Sequence, residues 1–337
     1  MQPCISYLKY GISLGNSLDA IGGETAWKNL PLTRPVIQAV ADAGIKTVRL
    51  PVTWHLHMKE IPDYEIYPQW MSRVKEVVQW ILDAGMNVII NSHHDQCWQH
   101  PTLETVPDVL PRYTALWKQI AEAFGDLDDR VVFQGLNEPR LEFGENEMDG
   151  GTKSVRQAIN VLNHAFVRTV RATGGNNTDR WLIVPTYFAQ YTQVALEDMA
   201  VPKDRHVAVS VHCYDPHVFT FETPGEESTP FFDDRAQQAI RQLFETLDEY
   251  TGRWQTPFIL TEFGAVKKFM PDGVTPNDEE RAKFVRAMRT EADQRGIPCI
   301  WWDNNYRESR NDSFCIINRN TLRVECPLIV EALTQEP

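Results

Sequence analysis

Short, mainly apolar runs alternate along this chain with longer stretches in which apolar side chains recur every three to four residues. The longer stretches predict amphipathic helices over 33–43, 68–84, 109–124, 154–173, 232–251 and 278–295. Each gives way to a glycine, at Gly44, Gly85, Gly125, Gly174, Gly252 and Gly296. The residue just past a helix C-terminus often takes positive φ, which carries no side-chain penalty in glycine. Soon after each glycine comes an apolar run, at 46–50, 87–91, 130–134, 181–184, 257–261 and 298–302, and two more lie at 10–14 and 207–211. Runs that do not alternate with polar residues suit parallel strands covered on both faces. Eight strands interleaved with helices in about 300 residues predict an α/β chain folded as a single (β/α)8 TIM barrel over 1–337. An open doubly wound sheet is the alternative, but neither GxGxxG nor GxxxxGK[ST] follows the first strand. The segment 220–230 reads as a long loop after the sixth strand.

Composition narrows the function classes. Of 337 residues, 42% are hydrophobic and 23% charged, which excludes wholesale disorder. A net charge of −13 makes nucleic acid and anionic membrane surfaces poor partners and suits a neutral or cationic substrate. No apolar run approaches the roughly 18 residues of a membrane span. The stretch Met1 to Tyr10 has no apolar core of a signal peptide. Six cysteines (Cys4, Cys97, Cys213, Cys299, Cys315, Cys326) occur without a CxxC pair, which argues against a zinc knuckle or a dithiol redox site. They read as buried free thiols, with a Cys315–Cys326 disulfide, or one involving Cys4, left open.

A TIM barrel carries its chemistry at the C-terminal ends of its strands. Seven of the eight expected strands end in residues that ionise, hydrogen-bond or stack: Gly15-Asn16, Arg49, Asn91-Ser-His93-His94-Asp95, Asn137-Glu138-Pro139, His212-Cys-Tyr214, Glu262-Phe-Gly264 and Trp302-Asp-Asn304. Glu138 and Glu262 follow strands four and seven, on opposite sides of the barrel mouth. Paired carboxyls facing each other suit glycoside cleavage, with retention at about 5–5.5 Å separation and inversion at about 6.5–9.5 Å.

These segments, together with Gly15-Asn16-Ser-Leu-Asp19, Val48-Arg-Leu-Pro-Val-Thr-Trp54 and Leu136-Asn-Glu-Pro139, resemble the glycoside hydrolase family 5 cellulases in order over nearly the whole chain. The first hundred residues are most similar to the endo-β-1,4-glucanase subgroup that includes xyloglucanases and mixed-linkage glucanases. The resemblance implies a retaining barrel with Glu138 as acid/base and Glu262 as nucleophile. Arg49 would lie beneath the nucleophile and hold it ionised, and Asn137 would bond the sugar 2-hydroxyl. His212 and Tyr214 would flank the carboxylates, with Tyr214 bonding the nucleophile. His93 and His94 would contact the sugar, and Trp302 would be its stacking floor. Asn16, and Trp27 on the loop after strand one, complete the expected binding set. One departure is Ser13, which precedes Leu-Gly-Asn where the family often has Asn.

Blander and rival readings stand beside this one. Asp19 reads as a structural loop partner, the acidic cluster 126–129 as a solvated turn, and Trp54, Trp98 and Trp301 as either core or cleft. A metal-dependent hydrolase built on His93, His94 and Asp95 is a rival, though adjacent histidines on a strand point to opposite sides. A glycan-binding barrel without activity is another, and mannan is the alternative substrate within the family. The expectation is therefore a monomeric, cofactor-free and metal-free enzyme acting on β-glucan polysaccharide outside the cell. Glu138 is expected to carry a raised pKa, giving a bell-shaped, mildly acidic pH profile.

Overall fold

The structure is a computed structural model and describes residues 4–221, 227–307 and 312–335, with backbone alone for Gln96 and Cys97. In chain order the elements are β1 (Tyr10–Leu14), α1 (Arg34–Asp42), β2 (Thr47–Leu50), α2 (Pro68–Asp83), β3 (Asn87–Asn91), the single turn α3 (Gln96–Gln99), α4 (Val106–Ala123) and β4 (Val131–Gln134). There follow α5 (Lys153–Ala172), β5 (Leu182–Pro185), α6 (Gln193–Glu197), β6 (Val207–Cys213), the single turn α7 (His217–Thr220), α8 (Asp234–Trp254), β7 (Phe258–Phe263), α9 (Asp278–Arg295), β8 (Cys299–Asp303), β9 (Ile317–Asn318), β10 (Arg323–Val324) and α10 (Pro327–Thr334). Strands β1 to β8 pair in parallel in sequence order, and β8 closes on β1. This is the (β/α)8 barrel the apolar runs predict. The β9–β10 hairpin, α6 and α10 carry no clear periodic signal and add to the elements the sequence predicts. The middle of the expected loop at 220–230 lies outside the described residues.

Two apolar cores flank the sheet. Outward-facing strand residues such as Ile12, Val48, Ile90, Phe133, Val209 and Leu260 pack against the helices. Inward-facing Ile89, Val132, Ile183, Ala208, Ile259 and Ile300 fill the lumen, with Ile5, Leu8 and Trp181 in the same cluster. Side chains two residues apart share a strand face. One layer further up the lumen therefore holds Arg49, Asn91, Gln134, Ser210 and Thr261, all fully buried and all polar. The strands are thus apolar where they build the barrel and polar where they approach its mouth.

Strict alternation would turn Glu262 toward the helices, because Ile259 and Thr261 already face the lumen. The sheet register prevents this. Val211 pairs with Leu260, but His212 pairs with Glu262, so Thr261 is an extra residue on β7. Such a bulge re-aims the side chain that follows it, and here it brings Glu262 inside beside His212.

Helix ends follow the expected chemistry with two exceptions. Gly44, Gly85, Gly174 and Gly296 take left-handed φ values of 87°, 79°, 73° and 65° respectively. Gly125 does not adopt positive φ. Nor does Gly252, because α8 runs on to Trp254 and Gln255 takes the left-handed position instead, at φ 54°. Side-chain caps start two of the long helices: Thr152 accepts from Val155 N–H and Asp233 from Ala236 N–H. The described cysteines are free thiols, and Cys315 and Cys326 form no disulfide. Cys4 is exposed rather than buried, and the Cys97 side chain lies outside the description. No helix among the described residues is long and apolar enough to cross a membrane.

Buried Arg180, just before β5, ties the loop below β4 to the barrel. It donates to the carbonyls of Phe124, Leu127, Asp128 and Val131 and to Asn177 Oδ1, at 2.7–3.2 Å. Arg180→Met would strand those acceptors and is expected to cost about 3 kcal/mol. Urea unfolding should show the loss, while activity under native conditions stays near wild type.

Candidate active site

At the mouth of the barrel the buried arginine of β2 organises three strands. Arg49 is wholly inaccessible to solvent. It donates from Nη1 to Glu262 Oε1 at 2.7 Å, from Nη2 to Asn137 Oδ1 at 2.6 Å and from Nε to Gln134 Oε1 at 2.8 Å. A guanidinium has its donors in a rigid fork, so these contacts fix β4 and β7 relative to β2. The second oxygen of Glu262 accepts from the Tyr214 hydroxyl at 2.8 Å. Burial and the neighbouring Glu262 charge hold the Tyr214 hydroxyl well above its ordinary pKa, so it stays a donor. Asn137, with Oδ1 occupied by Arg49, keeps its amide group to offer a ligand.

Glu138 lives in different surroundings. Its Oε1 lies 2.7 Å from His212 Nδ1, and its Oε2 lies 3.5 Å from Arg140. The side chain is 24% exposed, against 7% for Glu262. His212 Nδ1 also stands 3.6 Å from Glu262 Oε2, and the ligating atoms of Glu138, His212 and Glu262 all fall within 4.8 Å of one another. The expectation that Glu138 carries a raised pKa is not met here. Burial pushes it up, but the His212 hydrogen bond and the charges of His212, Arg140 and His94 outweigh burial and hold it below the ordinary carboxyl value. Glu138 is then ionised, and His212 Nδ1–H donates to it.

The expected binding residues assemble beside this pair. Asn91 Oδ1 accepts from Val52 N–H, so its amide faces His93 Nδ1, 2.9 Å away. The proton of the His93 ring therefore sits on Nε2. Burial, together with His94, Arg49 and His212, lowers the His93 pKa well below its usual value, so the ring is neutral and presents one N–H donor. Its ring lies parallel to Trp302, with centroids 5.7 Å apart and planes at 2°. The half-buried Trp302 ring rests on the backbone of Gly15. Edge contacts run from His93 to His94 and from His94 to Trp27. Asn16 serves as a turn residue at φ 55°, its N–H donating to Asp19 and its carbonyl accepting from Asn29.

Several open readings resolve. Trp54 and Trp301 are fully buried core, while half-buried Trp98 lines a side cavity of about 300 Å³ with Tyr64 and Arg112. Asp19 is the loop partner expected, accepting from the N–H groups of Asn16 and Ser17. The residues at 126, 128 and 129 are exposed. The metal reading on His93, His94 and Asp95 fails on geometry. Asp95 turns away to accept from Trp54 N–H, His55 N–H and the Ser92 hydroxyl. Asp19 stands near His93 and His94 in its place, but its oxygens and His93 Nδ1 are already taken by neutral groups. Beside Glu138, His212 and Glu262 the Arg49 guanidinium already provides the cation. Three contributors escape a reading of strand ends: Gln134, which supports Arg49; Asn91 as the group that sets the His93 tautomer; and Arg140. The only signal for Gln134 is a polar residue closing an apolar strand, and for Arg140 its place directly after Pro139.

Comparison with known proteins finds relatives over nearly the whole chain. A family model described as cellulase (glycosyl hydrolase family 5) matches residues 13–308. Endoglucanase A of Ruminococcus albus is 40% identical over 98% of this chain and 91% of its own length. The chain spans 61% and 39% of two other, longer relatives. Among solved structures, a GH5-4 broad-specificity endoglucanase from Clostridium acetobutylicum superposes with a TM-score of 0.92 at 34% identity, covering 97% of each chain. A xyloglucan-specific endo-β-1,4-glucanase from a metagenomic library, bound to cellotriose, gives a TM-score of 0.91 at 34% identity, covering 98% of this chain and 96% of its own.

A Cβ added at Gly15 would stand 2.5 Å from Trp302 ring atoms. Gly15→Ala is therefore expected to push the ring off its bed and raise the Michaelis constant for cello-oligosaccharides about tenfold. Steady-state kinetics beside a thermal melt should show that rise with little change in the unfolding midpoint.

Proposed function

The chain belongs to glycoside hydrolase family 5, and on that premise we propose that it cleaves internal β-1,4-glucosidic bonds of glucan polysaccharides by double displacement. The observation that supports this reading most is the closeness of two carboxylates in unlike surroundings, within 4.8 Å of each other around His212. That separation suits direct attack, since inversion needs room for a water between the carboxyl groups.

In the first step Glu262 attacks the anomeric carbon while the glycosidic C–O bond breaks. Glu138, having taken up a proton, passes it to the departing oxygen. In the second step Glu138 takes a proton from water, the water oxygen bonds to the anomeric carbon, and the ester to Glu262 breaks. Arg49 and Tyr214 hold both oxygens of Glu262, which aims the nucleophile and limits its rotation. The Asn137 amide and the His93 Nε2–H supply donors to sugar hydroxyls, and Trp302, His94 and Trp27 bound the sugar site. Depression of the Glu138 pKa in the free enzyme means that its proton is gained at acidic pH, or once a sugar chain excludes water from it.

Mixed-linkage glucan and xyloglucan fall within the substrate class, as the similarity to a broad-specificity endoglucanase and to a xyloglucan-specific one suggests. A polymer of this kind does not cross a membrane, so the proposal places the enzyme outside the cell.

Glu262→Gln removes the attacking carboxylate and should lower kcat roughly a thousandfold or more on soluble glucan. A variant that kept a tenth of the activity would refute the assignment. A panel of carboxymethyl cellulose, mixed-linkage glucan, xyloglucan, mannan and xylan, read by reducing ends, should show release from the first three. Release confined to mannan or xylan would overturn the glucan assignment.

A further inference from the structure

Arg140 occupies an unusual position. It follows the Asn137-Glu138-Pro139 segment directly and lies among three carboxylates. Its Nε donates to Glu147 Oε1 at 2.8 Å, its Nη2 reaches Glu142 Oε1 at 3.2 Å, and its Nη1 lies 3.5 Å from Glu138 Oε2. The guanidinium rests over the Phe188 ring, 4.2 Å from its centroid. The loop around it is strapped from several sides. Glu147 Oε2 accepts from Phe143 N–H at 2.7 Å, the Tyr187 hydroxyl donates to the Glu147 carbonyl, and Phe188 N–H donates to the Pro139 carbonyl. The cation is thus held at a fixed place, and its charge is divided between Glu138 and two carboxylates of the loop after β4.

We infer that Arg140 is a positioning residue that sets the proton affinity of Glu138, and that Glu142 and Glu147 regulate how much of its charge Glu138 feels. The inference rests on the reading of Glu138 as the acid/base. The other groups that face Glu138 are His212 from β6, Glu262 from β7, Tyr214 after β6 and His94 after β3. Of the cationic or ionisable partners that lower its pKa, Arg140 is the one with a permanent charge. It therefore acts at every working pH, whereas a histidine contributes charge only when protonated. Both side chains of the pair are partly open to solvent, at 17% and 24% exposure, so the effect is moderated by screening.

The direction of the effect follows from the chemistry. An acid must be protonated to act, so the rate falls as pH rises through the pKa of Glu138. Removing the Arg140 charge raises that pKa and moves the alkaline limb to higher pH. Removing a competing carboxylate leaves more of the Arg140 charge for Glu138 and moves the limb to lower pH. A purely structural arginine would give neither pattern, because loosening the loop lowers the rate without shifting the limb in opposite senses.

The test is the pH profile of kcat/KM on soluble mixed-linkage glucan for the wild type, Arg140→Gln, Arg140→Lys and Glu147→Gln, with a thermal melt of each. Arg140→Gln should move the alkaline limb up by about half to one pH unit, and Arg140→Lys should return it most of the way. Glu147→Gln should move it down. An unmoved limb in folded Arg140→Gln, or shifts of the same sign in Arg140→Gln and Glu147→Gln, would overturn the inference. Should Arg140→Gln not fold, the downward shift in Glu147→Gln decides, and its absence overturns the inference. Glu138→Gln on a 2,4-dinitrophenyl cellobioside, whose departure needs no protonation, separates this inference from the reading beneath it. Loss of the alkaline limb there leaves that reading intact whatever Arg140 does. Its retention removes both.

Discussion

A buried guanidinium facing a buried carboxylate is the constraint on which this site is built. An ionised side chain in a barrel lumen is costly unless its partners are close and its donors are directed. Arg49 meets that condition through Glu262, Asn137 and Gln134, each on a strand or strand end other than its own. Removing any one of these acceptors would leave part of a wholly enclosed cation facing the lumen. The same contacts place the amide of Asn137 and the oxygens of Glu262 within one small volume. Stability and aim therefore come from the same three hydrogen bonds, so the strands cannot slide without disturbing the chemistry.

The different roles proposed for the two carboxylates follow from their different surroundings. Glu262 sits on the floor, with one oxygen on Arg49 and the other on Tyr214. Glu138 stands nearer the solvent, held by a histidine and by an arginine that it shares with Glu142 and Glu147. The floor residue has little freedom to move or to exchange protons with water, which suits the proposed nucleophile. The rim residue can exchange its proton, which suits the proposed acid and base. His212 lies between them and touches both, at 2.7 and 3.6 Å.

Much of this was legible in the sequence, for identifiable reasons. Parallel strands covered on both faces must be apolar, so all eight barrel strands could be read from the runs alone. Polar residues closing those runs must lie at one end of the barrel, which gathers Arg49, Glu138, His212, Glu262 and Trp302 from the sequence alone. Less accessible were properties that depend on what a side chain meets across the lumen. Asp95 looked like a companion of His93 and His94, but it serves the backbone of Trp54 and His55. Glu138 is expected to carry a raised pKa, yet His212 and Arg140 pull it down. Gly252 looked like a helix stop, but α8 continues two residues beyond it to Trp254 and ends where Gln255 turns left-handed.

The extra residue at Thr261 carries a lesson about inheritance. Because β7 gains one position between Leu260 and Glu262, the rotational phase of the strand changes just before the proposed nucleophile. Chemical identity at Glu262 is therefore not sufficient. A chimeric β7 that kept the glutamate but lost one upstream residue would aim it outward, among the helices, in an otherwise well-formed barrel. Spacing along this strand is under the same functional demand as the acid itself, and a gap placed here when sequences are matched changes which face of the sheet the residue occupies.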